Sequence, residues 1–266
     1  MGLAKRFEEL GQRPALIFPD REPISYAELA RRVAETAHQF GKAKKLVAVA
    51  AEATEHAVIA YLAALHGNHA VALLAPCKPE ALDDFVADFS PDIVCRRVDD
   101  RWRHFVEADK PSGTLHPNLA VLLGTSGSTG KSQYVRLSAT AIWANAEAIA
   151  SYLELDPNDR AALILPFHYS YGLSILNSHL VAGASVYFPR CGASDAGFTD
   201  EMRAVCCTNI SGVPYSFELM EQTGFRKRDL PALRFMTVAG GRMRKDLAET
   251  FAQHLSDRQA RFFMMY

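Results

Sequence analysis

The residues at 125–131 are the ones in this chain best suited to binding an anion. They follow an apolar run at 119–123, which predicts a buried strand. Four hydroxyl side chains, two glycines and a lysine follow one another here: Thr125, Ser126, Gly127, Ser128, Thr129, Gly130 and Lys131. Glycines let the backbone approach a ligand, and the N–H and hydroxyl groups can donate to phosphate oxygens. The segment therefore predicts a phosphate-binding loop, with a mobile Ser/Gly surface loop as the structural alternative.

The P-loop of kinases and other nucleotide hydrolases is a second alternative for this segment. Gly130, Lys131 and Ser132 match the end of its pattern, G-x-x-x-x-G-K-[ST]. The first glycine of that pattern is not matched, because position 125 is Thr. A P-loop also opens a helix at its lysine, whereas residues 135–137 are predicted to be extended and Ser138 to cap a later helix. No convincing Walker B strand ending in Asp accompanies it.

Strands and helices alternate along the chain, which predicts an α/β fold. Ser25 and Glu28 form a capping box for a helix that ends near Phe40. Further strands are predicted at 46–50, 71–75, 93–95, 119–123, 161–165, 185–188, 210–213, 235–239 and 261–265, and further helices at 55–65, 79–89, 139–153 and 173–181. This order predicts two mostly parallel sheets flanked by helices. The polar stretch 96–118 is predicted to connect a first lobe, 1–117, to a second, 118–266.

Three candidate ligand segments follow the predicted strands 119–123, 161–165 and 235–239. Open α/β sheets bind ligands at the carboxyl ends of their parallel strands, so we expect these segments to lie together. The middle segment carries His168, whose imidazole can donate a hydrogen bond to a carboxylate.

Four segments, in this order, resemble the acyl-adenylate-forming superfamily of acyl- and aryl-CoA synthetases, luciferases and peptide synthetase adenylation domains. Residues 125–130 match the opening of its ATP loop, T-S-G-[ST]-T-G-x-P-K-G. Residues 165–168, with Gly172, are similar to the segment that places an aromatic or His side chain beside the acyl carboxylate. Residues 239–242 resemble its adenine-contacting glycine pair, and 262–266 resemble the strand that ends in its adenine-stacking Tyr. Residues 13–17 and 24–29 resemble its opening hairpin and first helix.

The resemblance implies ATP-dependent activation of a carboxylic acid to acyl-AMP, with release of pyrophosphate and transfer to a thiol of CoA or of a pantetheinylated carrier protein. It assigns ATP contacts to 125–131 and to Gly240, Gly241, Arg242 and Tyr266. It assigns the catalytic role to His168. It also assigns contacts with the acid substrate to His168, Tyr169, Gly172, Val213 and Gly240. Mg²⁺ is expected with ATP, its protein ligand lying beyond residue 266. Each of these roles has a structural alternative. His168, Tyr169 and Val213 can be residues of the core, Gly240-Gly241 can form a tight turn, and Arg242 can be solvated.

The sequence departs from the family pattern in two places. Ser132, Gln133 and Tyr134 occupy the Pro, Lys and Gly positions of the loop, so the usual lysine is absent and Lys131 is the candidate substitute. The Thr-Glu pair, ribose-binding Asp, hinge and C-terminal lysine of the family have no counterpart. We therefore expect an N-terminal piece of a longer enzyme, without the C-terminal lid domain, that binds its ligands but turns over poorly alone.

The nature of the acid is indicated at the His168 position. In the family that the chain resembles, adenylation domains for α-amino acids have the pattern F-D-x-S at this position, and its Asp pairs with the ammonium group of the substrate. This chain has Phe167-His168-Tyr169-Ser170 instead. A fatty or aryl acid is therefore favoured.

Composition excludes several other classes of protein. The net charge of −1 argues against nucleic-acid binding. The sequence has neither a long apolar run nor a charged segment followed by an apolar one, which argues against membrane insertion and secretion. Its 5 cysteines form no C-x-x-C pair, so we expect no zinc site. The odd number of cysteines fits reduced thiols, and we therefore expect a cytoplasmic enzyme.

Overall fold

The computed structural model describes residues 3–76, 79–106, 113–125 and 133–265. The chain divides into two compact units. The first unit comprises Met1–Arg13, Ile24–Asn145 and Pro166–Leu173, and the second comprises Pro14–Pro23, Ala146–Leu165 and Ser174–Tyr266. The sequence predicts a boundary at 117/118. In the structure, the strand that begins at Leu119 pairs with earlier strands and completes the sheet of the first unit.

The helices and strands of the described residues alternate for most of the chain. Up to residue 138 they are α1 (Leu3–Leu10), β1 (Pro14–Ile17), β2 (Ile24–Ser25), α2 (Tyr26–Phe40), β3 (Leu46–Ala50), α3 (Glu55–His66), β4 (Ala70–Leu74), α4 (Pro79–Phe89), β5 (Ile93–Val98), β6 (Arg101–Val106), β7 (Leu119–Gly124) and β8 (Tyr134–Ser138). They continue as α5 (Ala139–Tyr152), β9 (Arg160–Ala162), α6 (Ser170–Ala182), β10 (Ser185–Tyr187), α7 (Phe198–Ala204), β11 (Asn209–Gly212), α8 (Pro214–Gln222), a 3₁₀ turn (Phe225–Lys227), β12 (Phe235–Val238), α9 (Lys245–Ser256) and β13 (Arg261–Met264).

Capping side chains fix the start of the early helices. The Ser25 hydroxyl accepts the N–H of Glu28 at 3.2 Å, which confirms the predicted start of α2. Thr54 accepts the N–H of Ala57 at 3.4 Å and caps α3 in the same way. Phe40, the last residue of α2, is fully buried, so the helix presents its apolar side to the core over its whole length.

The first unit contains a sheet of six strands in the order β6-β5-β3-β4-β7-β8. The four central strands run parallel, and β6 and β8 are antiparallel edge strands. Small side chains from β3 and β4, such as Ala48 and Ala72, are completely buried. Helix α4 packs Leu82 and Phe85 onto this layer.

The edge strand β6 corrects the prediction that 96–118 is a connection between lobes. The chain turns at Asp99 and Asp100, whose φ angles are 48° and 57°, and returns as β6 against β5. Asp tolerates this left-handed conformation better than most residues, which makes the tight turn possible. The charges of Arg101 and Arg103 mask the strand pattern in the sequence, because an edge strand need not be apolar.

The second unit carries most of a seven-stranded sheet with the order β13-β12-β11-β9-β10-β1-β2. The pairs from β13 through β1 are all parallel. Buried side chains of β11 and β12, such as Ile210 and Met236, form one core with Phe217 of α8 and Phe251 of α9. The predicted class, two mostly parallel sheets flanked by helices, is confirmed.

Candidate functional site

Three neighbouring strands of the second unit, β11, β12 and β13, end at the same edge of the sheet because they run parallel. Backbone pairing continues just past their ends. The N–H of Ala239 donates to the carbonyl of Gly212 at 3.3 Å, and the N–H of Met265 donates to that of Val238 at 2.8 Å. This edge is where parallel sheets bind ligands. It presents Val213 and the pair Gly240-Gly241, as the sequence predicts.

Val213 and Gly240 lie against each other. Gly240 has φ +81°, a left-handed conformation that favours glycine, and a Cβ built there would be 3.3 Å from Val213 Cγ1. A Cβ on Gly241 would be 3.6 Å from Pro214 Cγ. Both glycines are exposed to solvent. The pair therefore offers bare backbone beside Val213, a surface on which a planar ring can rest.

The start of α8 holds Val213 in this position. Pro214 occupies the first turn of the helix, where its missing N–H costs nothing. At Gly212, a Cβ would be only 2.8 Å from Ser216 Cβ, so the strand and the helix can approach this closely only through glycine. Gly212 is not among the residues predicted from the sequence; the signal that could have found it is a glycine between a strand and a Pro-initiated helix.

Two arginines follow the glycine pair and behave differently. Arg244 is bound to the carboxylate of Asp246 and is 69% exposed. Arg242 is exposed, and none of the described residues forms an ion pair with it. Arg242 therefore has a guanidinium available for an anion at this edge.

His168 lies in the first unit, in the turn that leads into α6. The N–H of Tyr169 closes the turn on the carbonyl of Pro166 at 3.2 Å, and Gly172 is buried in the first turn of the helix. The rings of His168 and Tyr169 are in contact, with centroids 4.2 Å apart. Tyr169 itself is 51% exposed.

The His168 side chain is only 7% exposed, and its Nδ1 atom has no hydrogen-bond partner among the described residues. Burial lowers the pKa of His168 below its usual value, because the charged imidazolium loses its hydration. The imidazole is therefore neutral at pH 7. The Nε2 atoms of His69 and His179 are also buried without a partner among the described residues, so this feature does not distinguish His168.

Thr125 and Gln133 are the described residues on either side of the predicted phosphate loop. The N–H of Thr125 donates to the carbonyl of Gln133 at 2.8 Å, so the loop joins two antiparallel strands, β7 and β8. A P-loop would lead from a strand into a helix, so the P-loop alternative has no support. Ser126, Gly127, Ser128, Thr129, Gly130, Lys131 and Tyr266 lie outside the described residues.

The three candidate ligand segments follow strands of two different sheets. β7 belongs to the six-stranded sheet, whereas β9 and β12 belong to the seven-stranded one. The segments at 165–172 and 239–242 thus follow strands of a common sheet, and the loop at 125–131 follows a strand of the other.

Neither a metal cluster nor a membrane span is found in the part of the chain that the structure describes. Within it, no three His, Cys, Asp or Glu side chains come together in a way that could hold a metal ion. None of its helices has the length and apolar character needed to cross a bilayer.

Comparison with known proteins relates the chain to nucleotide-dependent enzymes. The sequence model of the family described as AMP-binding enzyme matches residues 95–266, well over half of the chain. A linear gramicidin synthase of Brevibacillus parabrevis is 23% identical over 276 residues, which cover 93% of this chain and 3% of that protein.

Two solved structures have the same fold. ATP-bound MatB from Rhodopseudomonas palustris aligns with a TM-score of 0.75 at 23% identity, over 95% of this chain and 58% of that one. The N-terminal subdomain of Klebsiella oxytoca NpsA, in complex with 3-hydroxyanthranilyl-AMSN, aligns with a TM-score of 0.80 at 20% identity, over 99% of this chain and 71% of that one. This chain therefore spans little more than half the length of MatB and a small part of the gramicidin synthase.

Proposed function

This chain belongs to the AMP-binding enzyme family, and from that membership we propose that the protein carrying it joins a carboxylic acid to ATP. The products are acyl-AMP and pyrophosphate, and the acyl group then passes to a thiol of CoA or of a carrier protein. The observation that carries the proposal is the family match over residues 95–266. This range includes the predicted phosphate loop, His168 and the glycine pair.

The reaction brings two anions together, the carboxylate and the α-phosphate of ATP. The site must therefore supply hydrogen-bond donors and positive charge where they meet. Residues 125–131 are assigned to the phosphates. Gly240 and Gly241 are assigned to the adenine, supported by their exposed backbone. Arg242, which forms no ion pair with a described residue, is a cation that can contact a phosphate. Mg²⁺ would arrive with ATP and reduce the repulsion between the two anions.

His168 is assigned to the acid. A neutral imidazole has one N–H to donate, so it can orient the carboxylate and bind the carbonyl of the mixed anhydride without introducing a permanent charge. The burial of His168, which favours the uncharged ring, supports this role.

The proposed substrate is a fatty or aryl acid. His168 occupies the position at which amino-acid adenylation domains, by the family resemblance, have an Asp. The negative charge that would pair with a substrate ammonium is therefore missing at this position. The related NpsA subdomain holds a 3-hydroxyanthranilyl group, which is aryl. An acyl-CoA synthetase activity follows if CoA is the acceptor. Free thiols at Cys95, Cys191, Cys206 and Cys207 fit a reducing compartment, and we propose the cytoplasm.

ATP–pyrophosphate exchange on the full-length protein tests this function. Fatty, aryl and α-amino acids are supplied separately with ATP and Mg²⁺, and the variants are His168→Ala and, as a matched control, His66→Ala. His66 is an exposed histidine at the end of α3. We expect exchange with fatty or aryl acids, a reduction of at least tenfold in His168→Ala and no change in His66→Ala. Exchange with α-amino acids alone would refute the substrate class, and no exchange with any acid would refute the activity.

A further inference from the structure

Tyr134 is the first residue of β8 and the second described residue after the predicted phosphate loop. It pairs with Gly124 across the β7–β8 ladder, and its ring lies over that glycine, with Tyr134 Cε1 3.7 Å from the position of a Gly124 Cβ. The Thr125–Gln133 hydrogen bond of 2.8 Å is the next rung of the ladder. Tyr134 is therefore adjacent to both ends of the loop.

The Tyr134 ring also contacts α4. Its centroid is 5.2 Å from that of Phe85 and 5.4 Å from that of Phe89, with interplanar angles of 75° and 84°. Edge-to-face geometry of this kind is attractive because the positive edge of one ring meets the negative face of another. Phe85 and Phe89 are stacked on each other at 4.6 Å. The three rings form a cluster, which we call the Tyr134 cluster.

This cluster joins the return strand of the loop to the core. Tyr134 is partly buried and packs against the core of the first unit, which contains Leu122 and the fully buried Phe85. Val135 and Arg136, the next two residues of β8, are exposed. At the loop end of this edge strand, the contact with the core is thus made by Tyr134.

We propose that Tyr134 is a positioning residue for ATP: it fixes the return strand against α4 and so sets the positions of Thr125 and Gln133, from which the loop extends. The inference rests on the proposed function, since it takes residues 125–131 to bind the phosphates. Without the ring, β8 can separate from α4 and the Thr125–Gln133 pair loses its support. ATP must then order the loop ends on binding, and its affinity falls.

The test is the dissociation constant for Mg·ATP, measured by isothermal titration calorimetry on the full-length protein. Tyr134→Ala is expected to weaken ATP binding about tenfold, the factor that corresponds to about 1.4 kcal/mol. Tyr134→Phe keeps the ring and is expected to lose less ATP affinity than Tyr134→Ala. Phe89→Ala removes a ring that is 41% exposed, so it should leave the fold intact while weakening ATP binding in the same direction.

Two comparisons separate positioning from general destabilisation. Tyr152→Ala removes an exposed tyrosine that also has an edge-to-face partner, Phe263 at 5.5 Å in the second unit, and should leave ATP affinity unchanged. In the double variant Tyr134→Ala/Phe89→Ala, the losses should be smaller than the sum of the single ones, because both remove the same contact.

Each outcome bears on the inference separately from the reaction. ATP affinity within twofold of wild type in Tyr134→Ala, or an equal loss in Tyr152→Ala, would overturn it. A wild-type protein that binds ATP but shows no acid-dependent exchange would refute the proposed function and leave the affinity test of Tyr134 decisive. A wild-type protein that does not bind ATP would overturn both.

Discussion

Substituting Gly240 by alanine perturbs the edge of the sheet at which β11 and β12 end. The φ angle of +81° costs a residue with a Cβ roughly 1–2 kcal/mol. The new methyl would also lie 3.3 Å from Val213 Cγ1, closer than the usual carbon contact. Because Val213 is only partly buried and can yield, we add about 1 kcal/mol for crowding. The expected loss in the free energy of unfolding is therefore about 2–3 kcal/mol.

Urea denaturation of Gly240→Ala measures this loss, and Gly224→Ala is the matched control. Gly224 has φ +75°, but a Cβ there would meet only Lys227 Cδ, at 3.8 Å. The control should lose only the backbone part, about 1–2 kcal/mol. Adding Val213→Ala to Gly240→Ala should recover about 1 kcal/mol through coupling of the two sites. Equal losses for both glycines, with no coupling to Val213, would refute the close contact on which the account of this edge rests.

Two further predictions concern buried polar groups of the second unit. The carboxylate of Asp159 is completely buried and accepts hydrogen bonds from Arg234 Nη1 at 2.5 Å and Thr208 Oγ1 at 2.8 Å. Asp159→Ala should lower the free energy of unfolding by about 3 kcal/mol. Asp156 is half-exposed, and Asp156→Ala should lower it by about 1 kcal/mol or less. Equal losses in urea denaturation would contradict this. Burial lowers the pKa of His179, so the folded state binds fewer protons than the unfolded state below about pH 6.5, and stability should fall as the pH drops from 6.5 towards the folded pKa. The slope of unfolding free energy against pH should be smaller in His179→Gln, by up to about 1.4 kcal/mol per pH unit, and an unchanged slope would contradict the assignment.

The sequence predicts those parts of the fold that local chemistry determines. The Ser25 cap places the start of α2, and the apolar run before Thr125 predicts β7. The assignment of β7 to the first sheet could not be predicted in this way, because its pairing with β4 joins residues about fifty positions apart and leaves no local pattern. The prediction of β6 failed for another reason, since the charges that suit an edge strand also suit a loop.

In the candidate site, too, the sequence predicts local features but not contacts between distant residues. The sequence singles out Gly240 because it follows a predicted strand and because residues 239–242 resemble the glycine pair of the family. Its contact with Val213 follows from the parallel pairing of β11 and β12. The sequence singles out Tyr134 only because it occupies a glycine position of the family loop. Its contacts with Phe85 and Phe89 depend on how α4 packs beside β8, which no spacing in the sequence encodes.

The most direct measurement of the central claim follows an oxygen atom of the acid. The full-length protein is incubated with ATP, Mg²⁺, a thiol acceptor and a fatty or aryl acid labelled with ¹⁸O in its carboxylate, and the nucleotide product is analysed by mass spectrometry. Attack of the carboxylate on the α-phosphate, followed by transfer to the thiol, leaves one labelled oxygen in AMP. We predict labelled AMP, in reduced amount from His168→Ala. Formation of ADP, with the label in inorganic phosphate, would contradict the account.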